Sequence, residues 1–139
     1  MIPRRRWHRA AFVAAGIYNL AWGAISSVDP QWYFRVAGMP PINYPEIFAC
    51  LGMVIGIYGL LYLEVARAPE RGFPLAAVGF LGKVLGPLGA VVLVSKGAWP
   101  PRFLWHIVAN DLVWWLPFAL YLWDSWPFHR TRVQSPRAS

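Results

Sequence analysis

The chain alternates long apolar runs with short polar breaks rich in proline. Four apolar runs of roughly 20 residues lie near positions 9–28, 45–66, 74–96 and 103–123. Each has the length of a helix that crosses a hydrocarbon core of roughly 30 Å. Apolar residues go nearly all the way round each run rather than down one stripe, which argues against a soluble four-helix core. The expected fold is all-α: an up-and-down bundle of four transmembrane helices, with an interfacial segment between the first and second. That segment, QWYFRVAGMPPINY at 31–44, is too short and too broken by proline to span. Its Trp32, Tyr33 and Phe34 suit an anchor at the membrane surface.

The breaks define the organisation. Asp29-Pro30 ends the first helix and Pro40-Pro41 turns the chain. Pro45 opens the second helix at a position that needs no amide donor. ARAPERGF and GAWPPR form the two remaining turns. Residues 1–8 read as a basic cytoplasmic head, 9–123 as the transmembrane domain and 124–139 as a flexible cytoplasmic tail, disordered beyond about His129. A basic head before an apolar run also describes a secretory signal, with Ala24-Ile25-Ser26 as a cleavage site. Tyr18, Asn19 and Trp22 interrupt the plain apolar stretch such a signal needs, so a retained first helix is expected.

Small residues mark the packing faces. Gly16, Asn19 and Gly23 share one side of the first helix, and Gly52, Gly56 and Gly59 one side of the second. Gly79, Gly82, Gly86 and Gly89 form a stripe on the third, with Lys83 at its edge. Such faces suit close helix contact, within the chain, with a membrane-protein partner or in a homo-oligomer. Pro87 removes a backbone donor and frees a carbonyl one turn earlier.

Composition supports the membrane reading, with 58% hydrophobic and only 14% charged residues against about 45–50% and 25% in soluble domains. The net charge of +7 raises the question of nucleic acid. The basic residues sit at segment ends, however, and no basic helix with interleaved aromatics occurs, so nucleic acid is not an expected partner. Arg4, Arg5, Arg6, Arg9, Arg67, Arg71, Arg130, Arg132 and Arg137 fall on one side; Arg35, Lys96 and Arg102 fall on the other. The positive-inside rule then places both termini in the cytoplasm of a multi-pass inner-membrane protein. Cys50 is the only cysteine, which excludes an intrachain disulfide and a CxxC pair. His8, His106 and His129 lack metal-ligand spacing, so no metal is expected. No GxSxG, P-loop or dinucleotide fingerprint is present.

The groups that can carry chemistry lie at depth. Lys83 sits in the middle of the third run, and Asn110 and Asp111 near the middle of the fourth. A charge at that depth calls for a partner or a wet cavity. Counting 1.5 Å per residue from the cytoplasmic ends, Asn19, Tyr58, Lys83 and Asp111 reach one common layer, with Asn110 beside Asp111. This polar core is either a structural plug that fixes helix register, or a proton or ion relay or head-group site. Trp114 falls between Asn110 and Asp111 on the helical wheel. It is either aromatic filler or a flat wall for a quinone, isoprenoid or other planar ligand. An outer cluster of Glu46 and His106, with Tyr44 and Cys50 nearby, is expected near the opposite membrane face. There it is a proton-transfer pair or two unrelated helix-end residues. Cys50 is expected to be a small buried apolar residue.

YNLAWG in the first helix, WYFRVAGMPP at the interface, the glycine-rich second helix ending in arginine, and the short third and fourth helices together resemble the DoxX-like superfamily of small four-helix bacterial membrane proteins. The resemblance covers about residues 10–123. It implies a bacterial inner-membrane protein linked to membrane redox work, as an accessory or quinone-proximal component, with a quinone as the cofactor class. It carries no catalytic residue across. A vitamin-K-epoxide-reductase-like role would need the CxxC that the chain lacks. A small proton-coupled transporter and a helix-docking scaffold or assembly factor are the alternatives.

Overall fold

Four long helices account for nearly all of the structure, a computed structural model that describes residues 1–134. Helix α1 spans Arg5–Val28, the short α2 Trp32–Ala37, α3 Pro45–Arg67 and α4 Phe73–Ser95. A last helical run comes in four pieces: a 3-10 turn at Pro101–Phe103, α5 at Leu104–Ile107, a π turn at Val108–Leu112, and α6 at Val113–Gln134. α1, α3, α4 and the Pro101–Gln134 run are each long and apolar enough to cross a membrane. The architecture is an all-α four-helix membrane bundle.

Glycine sets how closely α1 meets α3. A Cβ added to Gly23 would lie 2.6 Å from the Gly52 carbonyl oxygen and from the Gly56 Cα, and one added to Gly59 would lie 2.6 Å from the Gly16 carbonyl oxygen. The two backbones therefore touch, as small-residue faces in a bilayer allow. The stripe on α4 divides in function. Gly79 takes the Tyr62 ring, with an added Cβ 2.5 Å from its Cε1, whereas at Gly82 and Gly89 an added Cβ meets nothing within 4 Å.

Two aromatic layers close the bundle. The inner one stacks the fully buried Phe12, Tyr62, Phe118 and Tyr121, with Phe12 4.5 Å from Phe118 and 4.8 Å from Tyr121 between ring centroids. The outer one gathers Tyr33, Phe103 and Ile107 with Trp22 and Phe48. Tyr33 lies 5.4 Å from Phe103 and 5.8 Å from Phe48. α2 drives Tyr33 inward. Gly38, at φ 61°, ends that helix, and its carbonyl accepts a 2.6 Å bond from Arg102.

The ends differ from the expected boundaries. α1 starts at Arg5 rather than near residue 9. Ile2 and His8 are buried against the bundle, while Met1, Pro3, Arg4, Arg6 and Trp7 stay exposed. α6 continues through His129 to Gln134, with Asp124 buried against Arg4 and His8. The helix thus replaces the expected tail over 124–134, and positions 135–139 lie outside the described residues. The fourth span is not one regular helix, and the π turn inside it shapes the site.

Candidate membrane-embedded binding site

Lys83 and Asp111 are each 5% exposed, although both stand in segments apolar enough to cross the bilayer. The lysine Nζ is 3.5 Å from Asp111 Oδ1 and donates a 2.6 Å bond to the Asn110 carbonyl. Asn110 Nδ2 donates to Asp111 Oδ1 at 3.1 Å. The ammonium thus meets one full charge and one backbone dipole, the arrangement a buried ion needs to offset lost hydration.

Two helix irregularities build this geometry. Pro87 has no amide hydrogen, so the Lys83 carbonyl four residues earlier loses its ladder partner. Trp115 Nε1 donates to that carbonyl at 2.8 Å. On the facing helix, the Val108–Leu112 turn closes through i−5 bonds, with the Val113 amide donating to the Val108 carbonyl. Such a turn inserts one residue and rotates the helix beyond it. It brings Trp115 against α4 and leaves Trp114 to pack 5.8 Å from Tyr18. Of the two readings of Trp114, it packs as aromatic filler against the inner aromatic layer.

A cavity of about 320 Å³ lies against the pair, within the range of small-molecule sites. Asn19, Tyr58, Lys83, Asn110 and Asp111 all line it, with Tyr62, Leu51, Val54, Ile55 and the glycines 79, 82 and 86. The polar layer expected from the four helices is thus assembled around one space. Gly86 brings the α4 backbone close to Asp111, since an added Cβ would stand 3.3 Å from its Oδ2. Asn19 is 3% exposed and donates through Nδ2 to the Ile55 carbonyl at 3.3 Å. Its Oδ1, like Asn110 Oδ1, is buried without a hydrogen-bond partner among the described residues.

The outer cluster does not form. Glu46 is exposed, and no hydrogen bond or ion pair joins it to His106 among the described residues. The His106 ring instead packs 4.7 Å from Tyr33, because α2 inserts Tyr33 where the pairing would need open space. Cys50 is exposed rather than buried.

A second charged cluster, unforeseen in the sequence, closes the end of the bundle where the start of α1 meets α6. Arg4 grips Asp124 through two bonds of 2.9 and 2.7 Å, and His8 Nε2 lies 2.7 Å from Asp124 Oδ2. His8 is 1% exposed. Tyr121 donates to the Pro69 carbonyl at 2.7 Å, and Arg5 donates to Glu70 at 2.9 Å. Burial raises the Glu70 carboxyl, but the Arg5 bond and the neighbouring positive charges outweigh it and hold the group below the ordinary range. The signals were present: an arginine and a histidine within the first eight residues, and an aspartate directly after the last apolar run. The cluster ties chain positions 120 residues apart, and local pattern gives no such pairing.

No protein-family model matches the chain, and neither a curated protein nor a solved structure matches it. Chemical assignment therefore rests on the cavity. Among the described residues no group of three or more His, Cys, Asp or Glu side chains is placed to hold a metal ion. The residues around the cavity offer an ammonium, a carboxylate, two amides and two phenols, a mixed set of donors and acceptors that suits a polar head.

Proposed function

We propose that this protein receives the polar head of a lipid-soluble ligand against Lys83, Asp111 and Asn19, and that it serves a membrane redox system as an accessory, quinone-proximal component of a bacterial inner membrane. The observation that carries the ligand-binding reading is the position of the cavity. The inner layer of Phe12, Tyr62, Phe118 and Tyr121 lies toward the end where Arg4 meets Asp124, and the outer layer of Tyr33, Phe48 and Phe103 toward the other. Between them the lining includes Leu51 and Val54 of α3, which are 47% and 51% exposed, and the open Gly82 of α4. The natural approach is sideways, from the hydrocarbon, between α3 and α4. A ligand reaching the site that way keeps its tail in lipid and places its head on the buried charges.

The same two layers weigh against a proton-coupled transporter, which needs a path alternately open to each side. The quinone class and the redox setting come from the DoxX-like resemblance and from the donors that Lys83 and Tyr58 offer to a carbonyl head. The cytoplasmic placement of both termini rests on the arginines at the Arg4–Asp124 end.

The test is extraction of co-isolated small molecules. Protein purified from its native membrane in mild detergent should yield one lipid-soluble species in near-stoichiometric amount by mass spectrometry. The double variant Lys83→Met/Asp111→Leu, which removes both charges together, should lose it. Equal recovery from both proteins, or no species from either, would reject the reading.

A further inference from the structure

Two fully buried polar atoms of the cavity residues lack a partner among the described residues, and both are acceptors. Asn19 commits its Nδ2 to the Ile55 carbonyl, and Asn110 commits its Nδ2 to Asp111 Oδ1. Neither amide can be turned over, because its oxygen would then face another oxygen. What remains on each is a buried Oδ1 with no donor opposite it among the described residues. Asn19 is 97% buried by the complement of its 3% exposure, and both asparagines line the cavity. The donors there are already engaged in part: Lys83 Nζ is held by the Asn110 carbonyl and Asp111.

We infer that the ligand of this cavity is recognised as a hydrogen-bond donor: a lipid-soluble molecule whose head carries one or more hydroxyl groups, bound in preference to the same molecule with carbonyl or ether oxygens. The inference rests on the reading of the cavity as a site for a lipid-soluble ligand, and it fixes which form the site selects. A hydroxyl can donate to Asn19 Oδ1 or Asn110 Oδ1 and accept from Lys83 or Tyr58 with its lone pairs. A carbonyl or ether head can only accept, so it leaves both amide oxygens dry and unpaired. Within a quinone couple, the reduced quinol is then the form held and the oxidised form the one released.

Three probes of nearly one shape separate these cases: an alkyl-1,4-hydroquinone kept anaerobic, its oxidised quinone and its dimethyl ether. Each is measured by equilibrium binding to the full chain in nanodiscs, with empty nanodiscs subtracting partition into lipid. The hydroquinone should bind at least about tenfold tighter than the other two, the effect of satisfying one or more buried acceptors. Asn19→Leu should reduce that preference by about tenfold. If that variant does not fold, the ether comparison on the unaltered protein decides alone. Equal binding of the three probes, or tighter quinone binding, overturns the inference and leaves the cavity a ligand site. Binding of none of them rejects the cavity reading and the inference with it.

Discussion

Replacing Lys83 with methionine tests the buried pair directly. Methionine keeps the length of the stem and removes the charge. Asp111 is then left 5% exposed, with only the Asn110 amide opposite it. At the observed 3.5 Å, the lost attraction is about 5 kcal/mol for an effective dielectric constant near 20. Breaking a buried pair from one side costs roughly 3–5 kcal/mol, so the two routes agree. Removing both charges is different. Lys83→Met/Asp111→Leu leaves no orphan ion, and such apolar replacements are neutral or stabilising by about 1–4 kcal/mol. Unfolding in mixed detergent micelles with rising dodecyl sulfate, monitored by tryptophan fluorescence and helical circular dichroism, gives the four corners of the cycle. The expected result is a single variant weaker by about 3–5 kcal/mol and a double variant at or above the parent. A single variant within about 1 kcal/mol of the parent, or two penalties that simply add, would refute the reasoning.

The contacts lead to four other outcomes. Trp115→Phe should cost about 1–2 kcal/mol by leaving the Lys83 carbonyl without its donor, and adding Pro87→Ala should recover most of the loss by restoring an amide there; absence of rescue in the same micelle titration would contradict the assignment. Gly23→Leu should prevent α1 from seating on α3, because its Cβ alone would meet backbone at 2.6 Å, whereas Gly89→Ala should be silent; expression and monodispersity of the two read this. Asp124→Asn should loosen residues 1–8 through loss of the Arg4 grip and weakening of the His8 contact, seen as faster hydrogen exchange at the start of α1 while the centre of the bundle stays protected. Glu70 is held below its ordinary range in the folded chain. Its contribution is therefore present above the unfolded value near pH 4.3 and lost as pH falls through the lower folded value. Arg5→Gln should flatten that acid limb, and an unchanged pH profile of unfolding would remove the link.

The sequence made the spans legible because bilayer thickness dictates their length, and the glycine faces legible because they repeat at helical spacing. It also disclosed the depth at which Lys83 and Asp111 meet, which is arithmetic on helix rise. The freed carbonyl before Pro87 was visible as chemistry, but its recipient was not. Trp115 reaches it only because a π turn rotates the fourth span, and the regular 100° wheel used to place Trp114 contains no such turn. The Glu46–His106 pairing assumed an empty outer end, whereas the six-residue α2 fills it with Tyr33. Arg4, His8 and Asp124 lay outside the apolar runs and so read as solvated ends. The burial of His8 and Asp124 depends on the start of α1 meeting α6, and no periodicity records that.

The central claim is that a ligand reaches Lys83 and Asp111 from the hydrocarbon, between α3 and α4. Gly82→Phe addresses it most directly. A Cβ at Gly82 meets nothing within 4 Å, so the bundle should fold, and the ring should fill the side opening. Binding of the alkyl hydroquinone to Gly82→Phe in nanodiscs should fall by at least about tenfold while its unfolding midpoint matches that of the parent. Undiminished binding to a well-folded Gly82→Phe protein would contradict the account.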